Sequence, residues 1–177
     1  MDKKEKEIGK KIVRGFLKFL IKIINMVYRV KVNGIEKLPK KGPYIIVSNH
    51  RSKLDPPLLL NLLNENIVFL AKKELANTGP GRLIIWAFDI ILIDRKNIET
   101  SSIKTLMNAL KKGKIVGIFP EGTREGFNKT GKIKTGAIFI ALRQKVDIIP
   151  IGINGSFKMF GNDNHVNIGD KILKVVK

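Results

Sequence analysis

The chain has 177 residues, a hydrophobic content of 44%, and 34 Lys and Arg against 15 Asp and Glu, which gives a formal net charge of +19. This hydrophobic content excludes a disordered polyelectrolyte and suffices for one domain with a sizeable core. Because cysteine is absent, disulfides, cysteine nucleophiles and thiolate metal sites are excluded. The charge implies an anionic partner, namely nucleic acid, an anionic membrane, or acidic metabolites and proteins.

The first predicted element is a basic amphipathic helix over about residues 8–27, after a charged segment that we expect to be frayed. Its cations recur at steps of three or four, and apolar side chains occupy much of the remaining circumference. The helix either packs on its own domain or lies flat on a membrane. The wide apolar arc and the almost purely cationic polar face favour the membrane. The residues expected there are Lys11, Arg14, Phe16, Lys18, Phe19, Leu20 and Lys22.

This helix is not expected to cross a bilayer. Its longest stretch without a charge, residues 23–28, is far shorter than the roughly 20 residues that a spanning helix needs. No small-residue cleavage site follows it, so a secretory signal is not expected either. The sequence therefore predicts a membrane-associating helix over residues 1–27 and one folded domain over residues 28–177.

Strands and helices are predicted to alternate along that domain. The predicted strands are residues 28–32, 44–47, 67–70, 90–93, 115–119, 148–153 and about 165–175. The predicted helices lie near residues 57–64, within 81–88, from a cap at Ser101 or Ser102 to Lys112, and near 135–144. Such alternation is typical of an α/β sandwich with a largely parallel sheet flanked by helices. Open sheets of this kind place their chemistry where the strands end.

Residues 49–57 contain the first candidate site. His50 follows an apolar run, and Asp55 is predicted to cap a helix that Pro56 opens. An Asp held there can bond one imidazole nitrogen, which fixes the tautomer and leaves the other nitrogen free as a base. The spacing alone favours the plainer interpretation, a helix cap beside a solvated histidine. The other histidine, His165, lies among Asn and Asp in a predicted loop.

A second motif changes that balance. Residues 119–124 read Phe-Pro-Glu-Gly-Thr-Arg and again follow an apolar run. The two segments resemble the Asn-His-x-Ser-x-x-Asp and Phe-Pro-Glu-Gly-Thr-Arg blocks of the 1-acylglycerol-3-phosphate O-acyltransferases, also called lysophosphatidic acid acyltransferases. The resemblance covers about residues 30–155. Four further segments are similar to blocks of that family, namely residues 71–75, 91–95, 134–137 and 148–151.

The resemblance implies transfer of a fatty acyl group from a thioester, on coenzyme A or acyl carrier protein, to the free hydroxyl of 1-acylglycerol-3-phosphate. His50 is then expected to be the general base, and Asp55 to orient it and stabilise the imidazolium. The implied acceptor-binding positions are Lys72, Arg95, Glu121, Gly122, Thr123 and Arg124. Arg124 offers a planar fork for a phosphate, whereas Glu121 is expected to bond a glycerol hydroxyl or to position Arg124.

No metal or nucleotide cofactor is expected, because the chain has two histidines and no cysteine and its glycines form no nucleotide fingerprint. The expected partners are lysophosphatidate, the acyl donor and an anionic membrane, with the protein peripheral at the cytoplasmic face of the cell membrane. Two alternatives remain open. The acceptor could be glycerol-3-phosphate or another lysolipid. The charge alone also fits a nucleic-acid-binding protein, which an aromatic content of 7% and the absence of a known motif disfavour.

Overall fold

A computed structural model of the chain describes residues 2–62, 67–93, 100–124, 133–157 and 174–176. The strands in these ranges are β1 (Lys31–Val32), β2 (Ile45–Ser48), β3 (Ile67–Lys72), β4 (Ile91–Ile93), β5 (Ile115–Ile118), β6 (Ile148–Asn154) and β7 (Lys174–Val176). The α-helices are α1 (Lys3–Val27), α2 (Asp55–Leu62), α3 (Gly79–Phe88), α4 (Thr100–Lys111) and α5 (Gly136–Gln144). Short 3₁₀ helices cover Ile35–Lys37 and Lys73–Asn77.

The strands form one sheet in the order β1-β7-β6-β2-β5-β3-β4. The five strands from β6 to β4 are parallel, whereas β7 is antiparallel to β6 and β1 is parallel to β7. The predicted α/β fold with a largely parallel sheet is therefore confirmed. Because β2, β3, β5 and β6 are parallel, their C-terminal ends lie along one border of the sheet, which we call the carboxyl edge.

Two apolar clusters fill the two faces of the sheet. Helices α1, α2 and α3 cover one face, where Leu59 and Ile46 are fully buried. Helices α4 and α5 cover the other, where Leu106, Ile140 and Ile45 are buried. Neighbouring strand residues such as Ile45 and Ile46 point to opposite faces, so a sheet covered on both sides needs apolar residues at every position. This explains the continuous apolar runs in the sequence.

Helix α1 begins at Lys3, well before the predicted start, so the charged N-terminal segment is helical and not frayed. The cause is a capping box in which a Glu5 carboxylate oxygen accepts a hydrogen bond of 2.9 Å from the backbone N–H of Asp2. This bond satisfies a backbone N–H group that would otherwise lack a partner at the helix end. Within the described part of the chain, no helix is long and apolar enough to cross a bilayer.

Besides shifts of one or two residues at several other element ends, the predicted starts of two elements differ from the structure. The predicted strand at residues 28–32 shrinks to β1, because Tyr28 ends α1 and Arg29 adopts a φ of +47° that no strand residue has. The predicted cap of α4 is also wrong, since the helix already includes Thr100 and Ser102 is buried inside it. For residues 28–32, the error arises because alternation over only five positions does not distinguish a strand from a helix end followed by a turn.

An ion cluster around Asp89 fastens α1 to the end of α3. The Nζ of Lys10 lies 2.5 Å from Oδ1 of Asp89, and an Nη2 of Arg14 lies 2.7 Å from Oδ2. The Nε of Arg14 also donates to the carbonyl oxygen of Ala87. The sequence pattern places Arg14 on the membrane-facing stripe, and the structure corrects this, because its side chain is 14% exposed and packs on its own domain.

This cluster predicts a pH-dependent contribution to stability. Burial alone would raise the pKa of Asp89, but the hydrogen bonds and charges of Lys10 and Arg14 outweigh it and lower the pKa below its ordinary value. Stabilisation by a carboxylate with a lowered pKa is present above its ordinary pKa and is lost as the pH falls through the folded value. We expect Asp89→Asn to lower the free energy of unfolding by about 1 kcal/mol at neutral pH, a small value because Asp89 is half-exposed.

Urea unfolding followed by circular dichroism, at neutral pH and at the most acidic pH that the wild type tolerates, measures this effect. The difference between Asp89→Asn and wild type should shrink at acidic pH. Glu7→Gln is a matched control, because the Glu7 carboxylate lies 3.6 Å from the same lysine but is mostly exposed. An equal loss in both variants would mean that the Asp89 contacts do not hold α1.

Candidate active site

His50 and Asp55 lie side by side at the carboxyl edge. His50 follows β2, Asp55 opens α2, and the Nδ1 of His50 is 2.9 Å from the Oδ2 of Asp55. The spacing alone favours a solvated histidine beside a helix cap, but the structure has the contact that the family resemblance implies. The Asp55 side chain is fully buried, and that of His50 is 12% exposed. With Nδ1 turned to the carboxylate, Nε2 is the ring nitrogen left to face a substrate.

Asp55 is held by the turn before it and is not the helix cap that its position suggests. It is the first residue of α2, and its Oδ2 accepts hydrogen bonds of 2.7 Å from the backbone N–H groups of Arg51 and Ser52. Together with His50, these donors fix the carboxylate against the imidazole edge. Its other oxygen, Oδ1, is buried and has no hydrogen-bond donor within the described ranges.

Asn49 fixes the loop that carries His50. Its Nδ2 donates to the carbonyl oxygen of Ile153 and its Oδ1 accepts from the N–H of Ile153, both at 2.7 Å. This amide continues the pairing of β2 with β6 beyond Ser48, the last paired strand residue. The sequence assigned no individual role to Asn49, because its partner is 104 residues away.

A phenylalanine of the second motif stacks on the imidazole of His50. The ring of Phe119 lies 4.2 Å from the ring of His50 at an interplanar angle of 25°, and Phe69 lies 5.7 Å behind Phe119. Gly117 makes room for this stack, because a Cβ at that position would lie 2.1 Å from the Phe69 ring. The stack joins the two motifs physically. Phe119 belongs to the second motif, but nothing in the sequence indicates that it contacts His50.

The second motif then forms a tight turn. Gly122 has a φ of +67°, and its N–H donates to the carbonyl oxygen of Phe119 at 3.0 Å. Lys134 closes the turn, because its N–H donates to the carbonyl oxygen of Pro120 at 2.8 Å and its side chain lies over Gly122. One oxygen of Glu121, Oε2, is buried and has no hydrogen-bond donor in the part of the chain that the structure describes.

The remaining candidate residues lie at or near the same edge, with one exception. Lys72 ends β3 beside β5, and residues 121–124, which include Thr123, follow β5 directly. Arg95 lies outside the described residues. Exposed cations border the His50 loop and the turn, and we call them the cationic rim. The rim consists of Arg51, Lys53, Lys72, Arg124 and Lys134.

These features define an α/β protein with a histidine–aspartate pair at the carboxyl edge of a parallel sheet, beside a cationic turn. A sequence model of the family described as Acyltransferase matches residues 29–154 of the chain. The chain therefore belongs to the acyltransferase family. The resemblance drawn from the two motifs is confirmed at this level.

Known proteins similar to this chain agree with that assignment. The 1-acyl-sn-glycerol-3-phosphate acyltransferase alpha of Mus musculus is 37% identical over 128 residues, which cover 70% of this chain and 44% of that protein. The probable 1-acyl-sn-glycerol-3-phosphate acyltransferase of Mycoplasma genitalium is 35% identical over 135 residues, which cover 72% and 50%. The chain thus spans about half the length of these curated relatives.

A solved structure shares the fold. The crystal structure of the 1-acyl-sn-glycerophosphate (LPA) acyltransferase PlsC from Thermotoga maritima matches with a TM-score of 0.63 and 25% sequence identity. The match covers 91% of this chain and 69% of that one. It therefore extends beyond the residues that the family model matches.

Proposed function

We propose that this protein transfers a fatty acyl group from an acyl thioester to the free hydroxyl of 1-acylglycerol-3-phosphate, giving phosphatidate. The observation that carries the proposal is the contact of 2.9 Å between His50 and the buried Asp55 at the carboxyl edge. The cationic rim beside this pair suits an acceptor that carries a phosphate. The relatives named for the same acceptor support that choice.

In the proposed reaction, the Nε2 of His50 takes the proton of the acceptor hydroxyl as its oxygen attacks the thioester carbonyl. A carbon–oxygen bond forms, the carbon–sulfur bond breaks, and the imidazolium returns its proton to the leaving thiolate. Asp55 fixes the tautomer and stabilises the imidazolium while it exists. The substrate hydroxyl takes the place that a serine has in a hydrolase triad, so no acyl-enzyme forms.

The acceptor is held by the second motif in this proposal. The Arg124 guanidinium can bind two phosphate oxygens in its plane, and Lys72 adds a second charge from the end of β3. Arg95 is the further cation that the family resemblance implies. Thr123 and the backbone N–H groups that follow Gly122 complete the proposed acceptor site. The buried Oε2 of Glu121 has no donor among the described residues, and in this proposal a glycerol hydroxyl of the acceptor donates to it.

Arg124→Lys tests the phosphate assignment. The change keeps the charge but loses the planar fork, so we expect the KM for lysophosphatidate to rise roughly tenfold, the effect of one charge-assisted hydrogen bond. The measurement compares lysophosphatidate with a lysolipid that lacks the phosphomonoester. The second acceptor should be affected little. An equal rise in KM for both acceptors would remove Arg124 from the phosphate site.

Helix α1 is the proposed membrane contact. One face packs on the domain through Val13, Leu17 and Ile21. The opposite face exposes a continuous apolar arc, of which Ile12 is 67% and Met26 73% exposed. The other members of the arc are Ile8, Phe16, Phe19, Leu20, Ile23 and Val27. An apolar surface of this extent is typical of a contact with lipid or protein.

The charges beside the arc favour an anionic membrane. Lys11, Lys18 and Lys22 follow one flank of the arc at helical spacing. Each lysine near an anionic surface contributes on the order of 1 kcal/mol. Because β1 runs opposite to the central strands, the end of α1 before it lies toward the carboxyl edge. A membrane-bound lysolipid can therefore reach His50, which supports a peripheral location on the membrane. The cytoplasmic face of the cell membrane is the side that we propose.

Replacing Phe16, Phe19 and Leu20 together by Ser tests this contact. The apolar arc adds a salt-insensitive term to the electrostatic attraction, so high salt alone should release the wild type from anionic vesicles only partly. The triple variant should be released fully at high salt. Vesicle co-sedimentation measures the effect, with circular dichroism to show that the variant is folded. Undiminished binding would mean that the membrane contact lies elsewhere.

An acceptor and donor panel tests the proposed reaction as a whole. The acceptors are lysophosphatidate, glycerol-3-phosphate and a lysolipid without the phosphomonoester, each offered with acyl-CoA and with acyl carrier protein. We expect phosphatidate, identified by mass, to be the main product. Faster acylation of glycerol-3-phosphate would replace the proposed acceptor. Salt-dependent retardation of nucleic acid without acyl transfer would instead favour nucleic-acid binding.

A further inference from the structure

Helix α5 exposes a second apolar surface, which plays no part in the proposed function so far. Ile138, Phe139 and Leu142 are 54%, 51% and 75% exposed, and we call them the α5 patch. The other side of the helix, including Ala137 and Ile140, is buried against the sheet. Single exposed apolar residues are common, but adjacent ones on a short helix form a continuous surface that is typical of a contact site.

The charged side chains of α4 and α5 have one sign. Neither α4 nor α5 contains an Asp or Glu. The exposed cations on and directly after these helices are Lys104, Lys111, Lys112, Arg143 and Lys145. The exposed Asp147 follows α5 by three residues and is the acidic group nearest to it in the sequence. A partner that matches this surface offers apolar side chains within an acidic surrounding.

The position of the α5 patch separates it from the α1 surface. Helices α1, α2 and α3 cover one face of the sheet, and α4 and α5 cover the other. A flat bilayer in contact with the exposed arc of α1 therefore cannot also contact the outward side of α5. The start of α5 lies near the site, because Lys134, two residues before it, lies over Gly122 of the second motif. The α5 patch thus lies on the outward side of a helix that begins near the carboxyl edge.

We propose that the α5 patch docks an acidic acyl carrier protein, which presents the acyl group to His50 as a thioester on its flexible arm. This inference rests on the proposed function and specifies its donor. The acceptor arrives from the membrane on the α1 side, whereas a water-soluble donor approaches from the opposite side. A protein-bound thioester needs a docking surface outside the site, and acyl-CoA does not. A second copy of this chain would bring two molecules of charge +19 together, which disfavours self-association.

The test compares two donors with two variants. The variants are the triple change of Ile138, Phe139 and Leu142 to Ser and the double change Arg143→Glu with Lys145→Glu. Each is assayed with palmitoyl-acyl carrier protein and with palmitoyl-CoA, both with lysophosphatidate in detergent. We expect kcat/KM with the carrier protein to fall at least about tenfold, as for loss of central interface contacts, and kcat/KM with palmitoyl-CoA to stay nearly unchanged. The retained activity with palmitoyl-CoA also shows that the variants are folded.

The Phe16, Phe19 and Leu20 variant of α1 is the matched control, because it removes an exposed apolar cluster of similar size. This control variant should change kcat/KM by the same factor with both donors. An unchanged ratio between the donors in the α5 variants overturns the docking proposal, as does transfer by the wild type from palmitoyl-CoA alone. Loss of vesicle binding in the α5 triple variant would make the patch a membrane contact. Loss of a wild-type dimer in sedimentation velocity would make it a self-association surface. Absence of transfer from both donors overturns the proposed function as well.

Discussion

His50→Ala is expected to lower kcat by about 10²–10⁴-fold, the usual effect of losing a general base. Asp55 faces the Nδ1 of this imidazole, and the ring of Phe119 lies against it. The Nε2 that remains is the proposed proton acceptor. His50 follows β2 and belongs to neither apolar cluster of the core, so the fold should persist. The KM for lysophosphatidate should change little, because the phosphate is held by other residues.

His165→Ala is the matched control, because it removes the only other histidine of the chain. It should leave kcat near the wild-type value. Steady-state kinetics with palmitoyl-CoA, together with circular dichroism of each purified variant, measure both effects. Turnover by folded His50→Ala close to that of the wild type would rule out His50 as the base.

Asp55→Asn is expected to lower kcat by roughly 10³–10⁴-fold, as the same replacement does in serine-hydrolase triads. The amide oxygen can still accept from the N–H groups of Arg51 and Ser52, which now bond the carboxylate at 2.7 Å. That oxygen takes the place of Oδ2, which is also the atom that faces Nδ1, so in this orientation the tautomer is kept and the imidazolium loses its counter-charge. In the flipped orientation the amide nitrogen faces Nδ1 and donates to it, which moves the imidazole proton to Nε2. Nε2 can then no longer accept the proton of the hydroxyl.

Asp55→Ala provides the comparison that separates positioning from folding. It leaves the buried N–H of Ser52 without its carboxylate acceptor, so we expect it to lower the free energy of unfolding by about 1–3 kcal/mol. Asp55→Asn should cost much less stability at a similar loss of kcat. Thermal unfolding and kinetics on both variants make the comparison. An active Asp55→Asn enzyme would mean that the carboxylate only shapes the turn.

The parts of the site that the sequence predicts are those in which the partners are close along the chain. His50 and Asp55 are five residues apart, and the turn between a strand end and a proline-opened helix brings them together. The alternation of apolar runs predicts the parallel sheet for a similar reason, since each strand and helix has its own local period. Boundaries fail where one local signal is misread, as at Arg29, where a positive φ ends the apparent strand.

The supporting contacts could not be predicted, because they join residues far apart in the sequence. Asn49 pairs with Ile153, and Phe119 reaches His50, only once β2, β5 and β6 lie side by side. The requirement for glycine at position 117 could not be predicted either, because it arises only when the ring of Phe69 occupies the space that a side chain would need.

Helix α1 shows the same limit. Its composition predicts an amphipathic helix, and the structure shows one of the two interpretations of that pattern, packing on the domain, for one face of the helix. One face of the helix packs on the domain and the other is exposed. Arg14 lies on the packed face, because it binds Asp89. The sequence pattern does not indicate this contact, since the two residues are 75 positions apart. Contact of the exposed apolar arc with a membrane stays a prediction.

Product formation by the purified wild type is the most direct test of the central claim. The protein is mixed with palmitoyl-CoA or palmitoyl-acyl carrier protein and with 1-acylglycerol-3-phosphate, and the lipid product is identified by mass beside the same reaction with His50→Ala. We expect phosphatidate that carries both acyl chains from the wild type and at most a trace from the variant. No phosphatidate from the folded wild type with either donor, or equal amounts from both proteins, would contradict acyl transfer by His50.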